Sequence, residues 1–134
     1  MMNPVTATIS KNDLMLLPIR RYEGPIHLVT TAAELAVAHR VITAEAVVGF
    51  DTETRPTFRK GQSYPPSLVQ IAATDGVFLF QLHRLDVAAE LAEILGQPQI
   101  LKVGIALDYD LSALRKVFAF QPRGTLDLGT VAQQ

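Results

Sequence analysis

The chain has 134 residues, 49% hydrophobic and 19% charged, which fits one globular domain and excludes a disordered or fibrous protein. Twelve basic and thirteen acidic residues give a formal charge of −1, so contact with a polyanion would have to rest on a local patch. The sequence has no cysteine, no signal-peptide pattern and no apolar run near the roughly 20 residues that a membrane helix needs. We therefore expect a cytoplasmic protein with no membrane partner.

Residues 1–25 are predicted to form an N-terminal arm. Pro18, Gly24 and Pro25 argue against a regular element that crosses residues 17–25.

Beyond the arm, short apolar runs alternate with amphipathic stretches. Thr31 and Glu34 have the spacing of a capping box, which predicts the start of a helix. The tripeptide at 74–76, Thr-Asp-Gly between two apolar runs, predicts a hairpin. A hairpin requires antiparallel pairing whereas helical crossovers favour parallel pairing, so we predict an α/β domain with a mixed sheet. The predicted strands are residues 26–30, 46–53, 67–73, 77–82, 99–106 and 125–128, and the predicted helices are residues 31–45, 86–96 and 107–118, with a further helical turn after residue 128.

Two acids follow the apolar strand in the stretch VVGFDTETRP, residues 47–56. Asp51 and Glu53 are two residues apart, so on a strand they point to the same face, roughly 6 to 7 Å apart. Two such anions repel each other, and carboxylate oxygens are the ligands that Mg²⁺ and Mn²⁺ prefer. The same pattern is also typical of a solvated strand-to-loop edge, so both interpretations stand at this point.

A third acid comes from the helix predicted after residue 106, where Asp108 and Asp110 flank opposite edges of the apolar stripe. Asp108 could serve as the N-cap of this helix. Asp110 lies in its first turn, where the helix dipole favours a negative charge. Periodicity alone does not choose between them.

Taken together, VVGFDTETRP, the hairpin and the stretch KVGIALDYDLSAL resemble the 3′→5′ exonuclease domain of the DEDD superfamily, nearest to its RNase D and Werner-syndrome exonuclease branch. The resemblance covers residues 26–134 and matches Asp110, not Asp108, to the family's second motif. It implies an RNase H-like (DnaQ-like) α/β fold, with a mixed sheet flanked by helices. It also implies two divalent cations, Mg²⁺ or Mn²⁺, which serve hydrolysis of the terminal phosphodiester of DNA or RNA, with single-stranded 3′ ends favoured.

The resemblance also implies roles for individual residues. Asp51 would contact both cations, Glu53 the cation on the side of the nucleophile, and Asp110 the other. The residues expected to contact substrate are Thr52, Arg55, Arg59 and Lys60.

One family motif has no counterpart here. The family has a Tyr or His followed four residues later by a fourth Asp, but after Asp110 this sequence contains a single acid, Asp127, and neither Tyr nor His. The resemblance therefore predicts an incomplete domain that lacks the C-terminal helices. Two hypotheses follow: a metal-dependent 3′→5′ exonuclease, and a catalytically degenerate domain that binds nucleic acid or serves as a scaffold. The oligomeric state is not predicted.

Overall fold

The structure is a computed structural model and describes residues 8–133. Among these residues, no helix has both the length and the apolar character needed to cross a membrane. The helices are α1 (Lys11–Leu16), α2 (Ala32–Thr43), α3 (Ala88–Gly96), α4 (Leu107–Arg115) and α5 (Leu128–Ala132), and the strands are β1 (Ile26–Val29), β2 (Val47–Thr54), β3 (Pro66–Ala73), β4 (Gly76–Gln81), β5 (Leu101–Gly104) and β6 (Thr125–Asp127).

The six strands form one sheet in the order β1-β4-β3-β2-β5-β6. β3 is antiparallel to both β2 and β4, and the remaining pairs are parallel. The predicted mixed sheet and the predicted hairpin are confirmed. Since β1, β2, β4, β5 and β6 all point the same way, residues that follow these strands meet at one edge of the sheet, which we call the carboxyl edge.

The core lies on one face of this sheet, because alternate residues of the central strands point toward α2, α3 and α4. On β2, for example, Val48 and Phe50 are buried whereas Val47 is 54% exposed. The other buried apolar residues are Val29, Leu35, Ala38, Ile42, Val69, Ile71, Phe78, Phe80, Val87, Leu91, Ile94, Leu95, Ile100, Leu107, Leu111 and Leu114.

The capping box at the start of α2 is confirmed. The Thr31 hydroxyl accepts a hydrogen bond from the Glu34 backbone N–H at 3.1 Å, and the Glu34 carboxylate accepts one from the Thr31 hydroxyl at 2.9 Å. The carboxylate also accepts bonds from the N–H and hydroxyl of Thr30. These bonds, that of Thr31 foremost, lower the pKa of Glu34. α2 ends at Thr43, two residues before the predicted end.

One short helix was not predicted, and one predicted helix cap was wrong. The arm contains a short helix, α1, which begins after Ser10, whose hydroxyl accepts from the Asp13 N–H at 3.1 Å. The helix ends before Pro18, and no helix or strand crosses residues 17–25, as predicted. Asp108 was expected as a possible N-cap of α4, and this was wrong: the N-cap is Ala106, in the left-handed region with φ 55°.

A buried lysine lies on the core side of β5. Lys102 is fully buried, and its Nζ donates a hydrogen bond to the Gln97 carbonyl at 2.7 Å. Burial lowers the pKa of Lys102 from 10.5 to about 8. A charged ammonium is costly in such a position, because one hydrogen bond does not replace its hydration.

Replacing Lys102 with Met should therefore stabilise the protein at pH 7, by about 1 to 3 kcal/mol. The Gln97 carbonyl would not lose all its hydrogen bonds in this variant, because it also accepts one from the Ile100 N–H at 3.3 Å. Below pH 8 Lys102 is protonated in both the folded and unfolded states. The folded state therefore bears the full free-energy cost of burying the charged ammonium in this range. Between about pH 8 and 10.5 only the unfolded state holds the proton, so the stability of the wild type should rise and the advantage of the variant should shrink. Urea unfolding at pH 7 and pH 9.5 measures this difference, and a constant advantage at both values would contradict it.

Candidate active site

Three acids from β2 and α4 lie near one another at the carboxyl edge, close enough for the charges of Asp51 and Glu53 to act on Asp110. Asp51 and Glu53 are exposed near the end of β2, whereas Asp110 is half-buried in the first turn of α4. Burial raises the pKa of Asp110, and the negative charges of Asp51 and Glu53 raise it further, whereas the Thr52 hydroxyl lowers it. Asp110 thus lies within the electrostatic reach of both acids of β2. Asp108 is exposed.

The close approach of β5 to β2 sets the position of α4. Gly104 ends β5, and a Cβ atom built on it would lie 2.5 Å from the Phe50 carbonyl oxygen and 2.6 Å from Cδ2 of Leu107. No larger residue fits between the two strands and the first turn of α4 without a shift. The chain then turns through Ala106 into the helix, which directs Asp110 back toward β2.

Asp127 anchors the start of α4 from the end of β6. One carboxylate oxygen accepts the Leu107 N–H at 3.0 Å, and the other accepts the Gly129 N–H at 2.8 Å, which caps α5. These bonds, that of Leu107 first, lower the pKa of Asp127. Sequence reasoning missed this role, because Leu107 and Asp127 are 20 residues apart and carry no local signal.

The three acids have no basic partner in the described part of the chain. Across residues 8–133, ion pairs join only Arg21 to Glu23 and His39 to Glu93. Asp51 accepts the backbone N–H of Thr52 at 2.9 Å. The same residues contain no group of three or more His, Asp or Glu side chains arranged to hold a metal ion. The donor set nevertheless suits a hard divalent cation, since it consists of carboxylate oxygens whose charge is uncompensated.

Of the residues expected to contact substrate, one lies between the two acids of β2 in the sequence and three come after them. Thr52 lies between Asp51 and Glu53, and a hydrogen bond from its hydroxyl lowers the pKa of Asp110. The Arg55 guanidinium lies over the ring of Tyr64, 4.9 Å from its centroid. Arg59 and Lys60 are exposed in the loop after β2. Thr52 therefore lies among the acids, whereas Arg55, Arg59 and Lys60 are exposed residues that follow the acids in the chain.

Comparisons with known proteins agree with this architecture. A family model described as a 3′-5′ exonuclease matches residues 26–134. No curated protein sequence gives a significant match. Among solved structures, the Aedes aegypti Nibbler EXO domain superposes with a TM-score of 0.73 at 23% identity, over 86% of this chain and 58% of that one. At this identity the likeness shows the fold alone.

Two further structures are similar at higher identity. Trypanosoma brucei RNase D in complex with RNA U12 has a TM-score of 0.71 and 26% identity, over 79% of this chain and 38% of that one. The EXD2 exonuclease domain soaked in Mn and GMP has a TM-score of 0.67 and 27% identity, over 82% of this chain and 59% of that one. This chain thus spans less than two thirds of the length of each of these relatives.

The six-strand mixed sheet with flanking helices is the RNase H-like exonuclease fold that the sequence predicted. Because the family model covers most of the sequence, from Ile26 to Gln134, this chain belongs to the family of DEDD-type 3′–5′ exonuclease domains.

Proposed function

We propose that this domain is a metal-dependent 3′→5′ exonuclease that acts on single-stranded 3′ ends of RNA or DNA. Asp51, Glu53 and Asp110 would hold two divalent cations, Mg²⁺ or Mn²⁺. The observation that carries the proposal is the position of Asp110 beside two acids of β2, with no Lys or Arg paired to any of the three within residues 8–133. Neighbouring carboxylates without a cation destabilise the folded state, and such unfavourable arrangements are found mainly at functional sites.

The structural relatives support the choice of substrate and metal. T. brucei RNase D was crystallised with an RNA oligonucleotide, and the EXD2 exonuclease domain was soaked with GMP in Mg or Mn. GMP is a nucleoside monophosphate, the class of product that an exonuclease releases from RNA. Carrying these properties to the present chain is part of the proposal, as is the cytoplasmic location that its cysteine-free sequence predicts.

Some residues of this chain would bind the metal ions and the substrate, and others would position the residues that do so. Bound divalent cations would activate a water molecule and stabilise the charge on the leaving oxygen. The Thr52 backbone N–H holds one oxygen of Asp51 in place, and Asp127 fixes the start of the helix that carries Asp110. Arg55 and its neighbours in the loop would attract the phosphates of the strand.

A cleavage assay tests the proposal. Single-stranded RNA and DNA oligonucleotides labelled at the 3′ end are incubated with the protein in Mg²⁺ or Mn²⁺. We expect release of the labelled mononucleotide, reduced by roughly 100-fold or more in Asp51→Asn, because a carboxylate that binds metal is lost. Asp108→Asn is the matched control, since it removes an exposed carboxylate from α4 outside the proposed site, and should retain the activity of the wild type.

The second hypothesis is a degenerate domain that binds nucleic acid without cleaving it. One observation favours it: the acids in the described part of the chain do not converge into a formed metal site. In that case neither metal supports cleavage, and Asp51→Asn binds an oligonucleotide as the wild type does in Mn²⁺. Metal-dependent release that Asp51→Asn abolishes would exclude this hypothesis.

A further inference from the structure

We propose that two copies of this chain exchange their N-terminal arms, so that the arm of each copy docks in an apolar groove on the other. The groove lies between β1 and α2, and we call it the edge groove. The part of the arm that would occupy it is residues 14–19, which we call the apolar segment. The inference is independent of the proposed function, because neither surface includes Asp51, Glu53 or Asp110.

The edge groove is an open apolar depression of about 480 Å³, within the range of roughly 300 to 1,000 Å³ that is usual for ligand sites. One wall is β1, an edge strand whose single partner among the described strands is β4. The other wall is α2. The apolar residues that line the groove are Leu28, Val29, Ala33, Val37, Val41 and Phe78, and the polar ones are His27, Glu34 and Asp75. Such a lining suits apolar side chains better than a polar ligand.

The arm presents a complementary surface. The apolar segment reads Leu-Met-Leu-Leu-Pro-Ile, and Met15 and Leu16 are 83% and 82% exposed. Each described residue before Val29 is exposed, so the arm buries none of these side chains against its own domain. Single exposed apolar residues are ordinary on protein surfaces, whereas a continuous apolar run of this kind marks an interaction site.

The way in which the arm joins β1 favours a second copy over the same chain as the owner of the groove. The Tyr22 hydroxyl donates a hydrogen bond to the Pro25 carbonyl at 2.9 Å, and the Tyr22 ring lies against Gly24. These contacts fix the chain just before β1, and no arm residue lines the edge groove of its own chain. Residues 17–25, which join α1 to β1, span up to about 30 Å when extended. The apolar segment can therefore reach a neighbouring molecule.

Two-fold symmetry makes the exchange reciprocal. The arm ends where β1 begins, and β1 is also a wall of the edge groove. A two-fold axis beside the β1 edges therefore brings the arm of each copy to the groove of the other. Both contacts form together, and the association covers two sheet edges that would otherwise be open to unspecific pairing.

The charges of the two surfaces are complementary. Arg20 directly follows the apolar segment and forms no ion pair within residues 8–133. The charged residues of the edge groove are Glu34 and Asp75, with no Lys or Arg among the residues that line it. Hydrogen bonds, that of the Thr31 side chain foremost, lower the pKa of Glu34, so this acid is ionised at neutral pH. A docked arm would bring Arg20 toward these acids, which favours the arm over an acidic partner.

Sedimentation velocity over a dilution series tests the exchange. Leu16→Glu places a charge in the apolar segment, and Val37→Glu places one in the edge groove. We expect the wild type to dimerise and each variant to dimerise roughly 100-fold or more weakly, because both contacts of the dimer lose a buried apolar side chain. Val131→Glu is the matched control, since Val131 is 46% exposed and Val37 45%, and Val131 lies on α5 outside the groove. It should dimerise as the wild type does, and urea unfolding checks that each variant is folded.

A mixture of the two variants distinguishes arm exchange from any other contact between copies. Leu16→Glu keeps an intact groove and Val37→Glu keeps an intact arm, so a mixed dimer retains one complete contact. We expect the mixture to dimerise roughly tenfold more strongly than either variant alone. The proposal is overturned if the wild type stays monomeric up to about 100 μM, which includes docking of the arm on its own chain. It is also overturned if either variant dimerises like Val131→Glu, or if the mixture dimerises no better than its components.

Discussion

Replacing Asp110 with Asn is expected to make the protein more stable than the wild type in EDTA and less stable than the wild type in Mn²⁺. The two effects have opposite signs because the same carboxylate is unfavourable in the metal-free site and favourable in the occupied one. A residue with a purely structural role would not show this reversal. The comparison therefore tests the proposed metal site without relying on enzymatic activity.

The gain in EDTA follows from the environment of Asp110. Its pKa is raised, first by burial and then by Asp51 and Glu53, so ionisation costs the folded state more than the unfolded state. This cost is absent below pH 3.8, the ordinary value for the side chain, and complete above the folded-state pKa. Asn carries no charge at any pH. At pH 7 the variant should gain about 0.5 to 1 kcal/mol, the range typical of interactions between partly exposed charges.

The loss in Mn²⁺ follows from linkage. A ligand that binds the folded state alone stabilises it by about 2.7 kcal/mol at a hundredfold excess over its Kd. The wild type should gain that amount, whereas the variant, which lacks one carboxylate, should gain little. Urea unfolding in EDTA and in Mn²⁺ measures both differences, with Asp108→Asn as the control that should follow the wild type. An equal gain in Mn²⁺ for wild type and Asp110→Asn would show that Asp110 does not hold the metal.

Local patterns in the sequence were sufficient to predict most of the fold. The strand around Phe50, the hairpin at 74–76 and the capping box of Thr31 and Glu34 were all predicted, and the structure confirms them. Each rests on contacts between residues close in sequence, whose spacing fixes which side chains meet. The arm helix α1 was missed because its six residues carry no amphipathic period and its start depends on a single cap at Ser10.

Features that depend on distant contacts were not predictable in the same way. Nothing near Lys102 indicates that the lysine, rather than Leu101 or Val103, lies on the core side of β5. The sequence at the start of α4 resembles that of a helix capped by Asp108. In the structure, however, it is the Asp127 carboxylate that accepts a hydrogen bond from the Leu107 backbone N–H. Periodicity left the choice of the third acid open, and the family resemblance favoured Asp110. The structure places Asp110 beside the acids of β2, whereas its role in metal binding stays a prediction.

Replacing Gly104 with Ala is the second change for which we expect a large effect. The new methyl group would lie 2.5 Å from the Phe50 carbonyl oxygen and 2.6 Å from a methyl carbon of Leu107. The Leu107 side chain is fixed in the core, and the Phe50 carbonyl is backbone next to Asp51, so neither can give way alone. We expect a loss of about 2 to 3 kcal/mol in the free energy of unfolding, at the upper end of the usual cost of overpacking.

The displacement should also reach the candidate site, because Gly104 lies between the two elements that carry the acids. Pushing β5 away from β2 moves α4, and with it Asp110, relative to Asp51. Folded Gly104→Ala protein should therefore bind Mn²⁺ more weakly than the wild type. Gly49→Ala is the matched control: it adds the same methyl group to β2, where the nearest atom is the Ala72 side chain at 3.2 Å, so a small shift accommodates it. Urea unfolding and Mn²⁺ titration of both variants distinguish the two positions. If Gly104→Ala were as stable as Gly49→Ala, the tight contact between β5 and β2 would not be what positions Asp110.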